Sequence, residues 1–303
     1  MESKIRFLSL NVGMKNNLAG LESLVKVHKL DIIFLQEVRI SDEQIDILVG
    51  KHGYKGKVNN NPEEPLLPGT AVVWRSSLPV RDISTIVPCR AQIAFLGAYA
   101  LLNIYAPSGS DKKYERASFF AKEIFRTFSL HDDSCWILGG DFNCILKPND
   151  VENGTGFQQK KCVQLDDLIK AKNLQDVYRH LHPNVKEFTF FRASAAPSRL
   201  DRFYVSQAMH QRILLVEHVA ALSDHCGVLM ELSLQQVDDN HVKKMRFNTY
   251  WKLNTGILSD EDFKHNFVGV WSVLKENQNQ YNDIADWWDS EAKPGIREFC
   301  IQF

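Results

Sequence analysis

Residues 137–143 read Ile137-Leu138-Gly139-Gly140-Asp141-Phe142-Asn143, ILGGDFN: an apolar run ends on two glycines, then presents a carboxylate and an amide two positions apart. Side chains alternate between faces along a strand, so Asp141 and Asn143 emerge on the same side. The glycines allow the backbone to turn or to approach something closely. A phosphate or metal site is built this way, but Gly, Asp and Asn are equally the residues of an ordinary turn. The rest of the chain decides between the two.

The same grammar recurs elsewhere. Asn11 ends FLSLN, Glu37 ends IIFLQE, Tyr105 ends LLNIY, Asp201 stands in SRLDRFYV, and Asp224-His225 divide VAALSDHCGVLM. Each has a plain explanation alone: a turn, a cap, a half-buried aromatic, a partner for Arg199, a surface pair. Six strand ends carrying carboxylate, amide, phenol or imidazole instead imply one shared sheet edge.

The elements around them support that. Lys4 to Leu10 reads as a strand, Asn17 caps a helix with Leu18, Leu21, Leu24, Val25 and His28 at helical spacing, and Asp31 to Leu35 is a strand buried on both faces. Residues 69–75, 80–87 and 91–106 read as antiparallel strands. A helix is expected over about 111–130, with Tyr114, Ala117, Ala121, Ile124, Phe125 and Phe128 on its inner face. Strand 135–139 then leads into the opening motif. A helix at about 159–172 and strands at 187–191, 199–205, 213–220 and 226–234 complete a sandwich of two sheets flanked by helices. Near Gln235 to His241 a polar linker marks a boundary. Residues 1–236 are expected to form the main domain, and 237–303 a helical extension over about 260–275 and 280–302. That extension carries Trp251, Trp271, Trp287 and Trp288 and reads as too short to bury them by itself. The chain stops inside an apolar helical pattern, as if cut from something longer.

The 303 residues carry 36 Lys and Arg against 37 Asp and Glu, a formal charge of -1, which excludes a generally polycationic nucleic-acid coat but not a local basic groove. The six cysteines show no Cys-x-x-Cys spacing and read as reduced thiols of a soluble, intracellular protein. No stretch has the length of a membrane span, and no signal-peptide pattern is present.

The residue types at the shared edge suit metal-assisted attack on a phosphodiester. Glu37 offers hard oxygens to Mg2+, which takes one or two carboxylates plus water and phosphate. His225 can accept a proton from water, with Asp224 or another carboxylate fixing its tautomer. Asp141 can share in water activation or leaving-group protonation, while Asn143, Asn11 and Tyr105 donate hydrogen bonds to phosphoryl oxygens. A zinc site, a serine-hydrolase elbow and a phosphate-binding Gly-x-x-x-x-Gly-Lys loop lack their motifs.

The ordered set LNVG, LQEV, NIYAPSG, GGDFN, SRLDRFYVS and LSDHCGV resembles the endonuclease/exonuclease/phosphatase superfamily over about residues 4–234. Within it, LQEV, NIYAPSG and SRLDRFYVS are most similar to the N-terminal endonuclease of LINE-type (non-LTR) retrotransposons. The tail TYWKLNTGIL…WWD…IREFC resembles the segment that links such an endonuclease to a reverse transcriptase. The resemblance implies a four-layer α/β sandwich and Mg2+-dependent (or Mn2+-dependent) nicking of double-stranded DNA, leaving a 3′-hydroxyl that primes reverse transcription. It implies Glu37, Asn11 and Asp224 at the metal, Tyr105, Asp141 and Asn143 on phosphate and water, Asp201 beside the site, and Asp224-His225 as the acid–base pair. It also implies a reverse transcriptase in the same polyprotein, synthesis in the cytoplasm and action in the nucleus. Two positions depart from it: relatives often read Asn-x-Asn-Gly where this chain has Asn11-Val12-Gly13, and Arg202 stands where they often have an aromatic or His.

For DNA, Arg192, Arg199 and Arg202 flank the site by motif and are the expected phosphate contacts, with Thr189 matching a family position near the DNA backbone. Lys160, Lys161, Lys170, Lys172 and Arg179 are further basic residues available locally, though surface lysines are mostly just solvated, and Lys243-Lys244-Met245-Arg246 reads as a DNA contact or plain linker. The stretch FRASAAPSR, residues 191–199, is a polar hairpin turn or, by resemblance, a loop that enters the minor groove. Rival readings are an abasic-site repair endonuclease or lipid phosphatase of the same fold, and a catalytically dead binding module. The last should have lost one of Glu37, Asp141, Asp224 and His225, and all four are present.

Overall fold

A computed structural model describes residues 2–13, 19–61, 63, 67–131, 134–154, 156–193, 195–220, 223–235, 258, 260–281 and 283–303. The expected cap Asn17, the linker 236–241, the basic run 243–246 and Trp251 lie outside them. The chain divides into two compact units, Met1–Met245 and Arg246–Phe303.

The first unit holds two six-stranded sheets. Strands β1 (Glu2–Asn11), β2 (Ile32–Val38), β3 (Tyr54–Asn59), β4 (Gly69–Arg75), β13 (Ile213–Val219) and β14 (Gly227–Gln235) form one sheet, ordered β13-β14-β1-β2-β4-β3. Strands β5 (Val80–Val87), β6 (Ala91–Leu96), β7 (Tyr99–Tyr105), β8 (Cys135–Asp141), β9 (Leu174–Asp176) and β12 (Asp201–Ser206) form the other, ordered β5-β6-β7-β8-β12-β9, while β10 (Phe190–Arg192) and β11 (Ala195–Ser198) pair as a separate two-stranded ribbon. Each sheet has one parallel pair, β1 with β2 and β7 with β8. Parallel neighbours need a crossover, here α1 (Ala19–His28) in the first sheet. In the second it is α3 (Lys113–Ser118) and α4 (Phe125–Leu130), joined by a π turn at Phe119–Ile124. Both parallel pairs therefore end at one edge, where Asn11 pairs with Gln36 and Tyr105 with Asp141.

Three apolar layers make this a four-layer α/β sandwich. Phe7, Phe34, Val72, Leu101, Ile137 and Phe203 fill the space between the sheets. Leu21 and Val25 of α1, with Ile45 and Val49 of α2 (Asp42–Gly50), cover the outer face of the first sheet. Phe119, Phe120, Ile124 and Phe128, with Leu165 and Leu168 of the helix Val163–Ala171, cover the second.

One reading of the sequence is corrected here. On the 111–130 helix, Tyr114 is 87% exposed and Phe125 40%, while Arg116, Phe119, Phe120 and Thr127 are buried. A uniform 3.6-residue period cannot foresee this, because the π turn rotates the inner face part-way along. In the tail, aromatic side chains pack on one another, while Trp288 and Phe303 stay 45% and 46% exposed. On the helix Glu261–Glu276, Phe263 stacks on Phe267 and meets Phe299 and Phe303 of the helix Lys293–Gln302. Trp271 packs on Trp287, whose indole donates to Leu274 O at 2.9 Å. Among the described residues, no helix is long and apolar enough to cross a membrane.

Candidate active site

The two glycines of the opening motif lie in β8 itself, not in a turn. A Cβ on Gly139 would strike the rings of Phe203 and Phe34, and one on Gly140 the carbonyl of Ile104. Gly140 also takes φ +150, a conformation that L side chains rarely adopt. The glycines thus let the sheets close on each other and let β8 press on β7, which delivers Asp141 beside Tyr105. Beyond it Asn143 turns the chain in the left-handed region at φ +48, which Asn tolerates. Its amide nitrogen donates to Asp141 Oδ1 at 2.9 Å, and its side chain donates to Ala106 O at 2.9 Å.

Glu37 reaches the site through a local irregularity. The β2–β4 register slips between Gln36 and Val38, and Glu37 itself sits at φ +60. A bulged residue in this conformation re-aims its side chain at a local cost of about 1–3 kcal/mol. Here the half-buried carboxylate meets two donors: Tyr105 Oη at 3.0 Å and Asn11 Nδ2 at 3.2 Å. Burial, with the Glu37 charge beside it, raises the Tyr105 phenol far above its ordinary value, so it stays a donor at any working pH.

Asn11 is the bracket. Its Nδ2 also donates to Asp141 Oδ2 at 3.0 Å, while its Oδ1 accepts from Gly13 N at 2.9 Å and so faces away from the carboxylates. Asn11 thus clamps Glu37 and Asp141 together through its Nδ2.

His225 lies across the cleft. Its Nδ1 meets Asp201 Oδ2 at 2.8 Å, and its Nε2 lies 3.9 Å from Asp141 Oδ2. Asp201 is placed by pairing opposite Asp141 in β12, and by Thr189, whose buried hydroxyl accepts from the backbone nitrogens of Leu200 and Asp201, each at 3.0 Å. Ser223 Oγ donates to Asn11 O at 2.8 Å and accepts from His225 N at 3.0 Å, tying the histidine segment to β1. Burial alone would disfavour a charged imidazole. The Asp201 carboxylate in contact with it, and Asp141 beyond, outweigh burial and raise His225 well above its usual value. Asp141 moves the same way: burial and the Asp201 charge raise it, against the pull of His225 and its hydrogen bonds.

Several expected roles are corrected. Asp224 is not the hydrogen-bond partner of the His225 ring, which is Asp201. The Asp224 carboxylate pairs with Arg192 Nη2 at 3.1 Å. Thr189 is fully buried and braces Asp201, so it offers the DNA backbone nothing. Arg199 and Arg202 are 1% and 0% exposed, and neither is available to a phosphate. Arg199 grips Asp176 through Nη1 and Nη2 at 3.2 and 2.7 Å, and Asp150 through Nε at 3.0 Å. Arg202 stands 3.6 Å from Asp150 and donates to the carbonyls of Arg199 and Cys144 at 2.6 and 2.9 Å. With Arg179, 2.7 Å from Asp150, these side chains form a buried ionic knot behind the active-site loop. The Arg202 departure from the relatives' pattern thus serves that knot.

The sequence reading also missed Asp150, Asp176 and Phe190, whose ring packs 4.9 Å from His225. A buried Gln36–Asn103 hydrogen bond of 2.8 Å, joining the two sheets behind the site, went unread as well. No local pattern marks the knot, since Asp150 and Asp176 lie 49 and 23 residues before Arg199.

Ligand atoms of Asp141, Asp201 and His225 lie within 4.8 Å of one another, a possible divalent-metal site. Carboxylate oxygens suit a hard cation. Asp201 Oδ1, buried and without a hydrogen-bond partner among the described residues, fits a site completed by another group.

The chain is 29% identical over 209 residues to a transposon TX1 uncharacterized 149 kDa protein of Xenopus laevis, covering 68% of this chain but only 15% of that protein. It is 25% identical over 275 residues to Exodeoxyribonuclease III of Haemophilus influenzae, covering 75% of this chain and 99% of that one. In fold it is similar to an AP endonuclease from Leishmania major, with a TM-score of 0.64 at 18% identity over 77% of this chain and 88% of that one. The sequence profile of the Endonuclease/Exonuclease/phosphatase family matches residues 8–225, from β1 through His225, and the chain belongs to that family.

Proposed function

We propose that this protein is a metal-dependent endonuclease that nicks duplex DNA and leaves a 3′-hydroxyl from which a reverse transcriptase of the same polyprotein primes synthesis. The observation that carries the chemistry is the continuous chain Tyr105–Glu37–Asn11–Asp141 facing the His225–Asp201 dyad at one edge of the sandwich. What favours a transposon role over repair is the similarity to the TX1 transposon protein, of which this chain spans about one seventh.

Glu37 would hold Mg2+ or Mn2+ at the cleft, which would supply Lewis-acid stabilisation of charge on the phosphoryl oxygens and leave Asp141 free to act as a base. Asp141, with its pKa raised by burial, stands ready to take a proton from the attacking water. The imidazole of His225, kept charged by Asp201, presents Nε2 to a non-bridging oxygen and stabilises the pentavalent transition state. Asn143 and Tyr105 border the same cleft and fix the phosphate. Strands Phe190–Arg192 and Ala195–Ser198 pair as a two-stranded ribbon rather than a bare loop, which suits insertion into a groove with Arg192 on the backbone. The protein would act where its target lies, in the nucleus.

A second reading, cleavage at abasic sites, is favoured by the nearly full-length match to Exodeoxyribonuclease III. An assay on intact plasmid, an abasic duplex and a phosphoinositide, side by side with Mg2+, tests both. The proposal expects nicking of intact DNA. Cleavage confined to the abasic duplex or to the lipid contradicts it.

A further inference from the structure

Of the arginines expected to meet DNA, Arg199 and Arg202 are committed to the ionic knot, while Arg192 pairs with Asp224 and stays 58% exposed. Arg116, which also lines the cleft, donates to the carbonyls of Pro107 and Gly109 at 2.6 and 3.2 Å. Two further cations border the cleft together with Glu37, Asp141, Asn143 and His225: Arg39, beside Glu37 in sequence, and Lys160, which comes from the far side of the active-site loop. In the sequence Lys160 stands among the locally available basic residues, and no motif marks it.

The structure holds it in place from two sides. Its carbonyl accepts from Ile145 N at 3.1 Å, two residues past Asn143, so its backbone is bound to the active-site loop. Its ammonium donates to Ser198 Oγ at 3.0 Å, a fully buried hydroxyl at the foot of the hairpin ribbon, which in turn donates to Ala196 O at 2.9 Å. Desolvation is what acts on this ammonium and lowers its pKa, with no carboxylate among the described residues offsetting it. A half-buried ammonium with one bond to a neutral hydroxyl keeps two donor hydrogens, and burying such a charge is unfavourable until an anion faces it.

We propose that Lys160 is a phosphate-binding residue of this cleft: its ammonium, aimed by Ser198, holds a non-bridging oxygen of a backbone phosphate neighbouring the scissile one. The contact registers the DNA strand against the hairpin stem and the active-site loop together. It rests on the DNA-nicking reading above and adds to that reading a cation that the family motifs do not mark.

The test compares the full chain with Lys160→Met and Lys160→Arg, using anisotropy of a labelled duplex across a salt series together with plasmid nicking. Each phosphate contact contributes about 0.9 to the slope of log affinity against log salt, so Lys160→Met should lose about 0.9 of slope and Lys160→Arg should keep it. KM should rise about tenfold in Lys160→Met while kcat changes by less than about threefold, the signature of lost uniform binding. A Lys160→Met slope equal to the parent's overturns the inference. Amine-acylation footprinting of the unaltered protein gives a reading free of any folding defect: duplex DNA should protect Lys160, and unchanged acylation overturns the inference. A parent that neither binds nor nicks duplex DNA overturns the functional reading itself, whereas nicking with an unchanged slope overturns only the role of Lys160.

Discussion

Asp224 precedes His225 in the chain, yet the imidazole meets Asp201, 24 residues away. Neighbours on an extended backbone point to opposite faces, so a carboxylate next to His225 is among the least able to reach its ring. Asp201→Asn should cost about 10²–10⁴-fold in kcat, since the histidine loses both its orientation and its charge. Asp224→Asn, which breaks only a half-exposed pair with Arg192, should stay within about fivefold. Steady-state nicking rates of the two variants check this, and the reverse ranking would restore the Asp224-His225 pair. At Glu37 the demands of fold and site conflict, because a non-glycine residue at φ +60 holds a charge beside a buried aspartate. Glu37→Gln should lower nicking by about 10³-fold or more without lowering the melting temperature, as thermal unfolding would record. Asn11, Glu37, Tyr105, Asp141 and Asn143 were legible in the sequence because apolar strands announce their own ends. The partner of His225 was not, because side-chain direction depends on a register set by long-range pairing.

At the scale of elements, the buried knot of Asp150, Asp176, Arg179, Arg199 and Arg202 anchors both the loop after Asn143 and the start of β12. Removing one arginine leaves a buried carboxylate uncompensated, so Arg199→Leu should destabilise by about 3–5 kcal/mol in urea denaturation. The knot also sets a pH limb. Burial acts to raise Asp150, but the Arg199 and Arg202 charges and the Arg179 bond outweigh it and hold the carboxyl far below the ordinary range. A carboxyl depressed in the fold stabilises fully above its unfolded value of about 3.9, and that contribution is lost as pH falls toward the folded value. The urea midpoint should therefore drop steeply below about pH 4, and a midpoint unchanged down to about pH 3 would contradict the assignment. The sequence showed Arg199 and Arg202 but not where they point, since arginines flanking a phosphate site and arginines bracing a buried carboxylate look alike in one dimension. Helix α2 was readable but unread: Ser41 and Gln44 form a capping box, a signature present in the letters SDEQ. The face of the 111–130 helix was not readable, because a π turn leaves no clear mark in apolar periodicity.

At the scale of the molecule, each sheet contributes one parallel pair, and the four strand ends that meet at one edge bring Asn11, Glu37, Tyr105 and Asp141 within hydrogen-bond reach. The antiparallel strand β12 adds Asp201 at that edge, and the segment before β14 adds His225. Gly139 and Gly140 make the convergence possible, so Ala at either position should disrupt the sandwich rather than the chemistry alone. The central claim is that this edge cleaves a phosphodiester in intact duplex DNA and leaves a primer. The direct measurement incubates supercoiled plasmid and Mg2+ with the parent and with His225→Ala, then offers the products to a DNA polymerase with labelled nucleotides. The account predicts open circles that accept label with the parent and intact supercoils with His225→Ala. Supercoils left intact by both proteins, or nicks that no polymerase can extend, would contradict it.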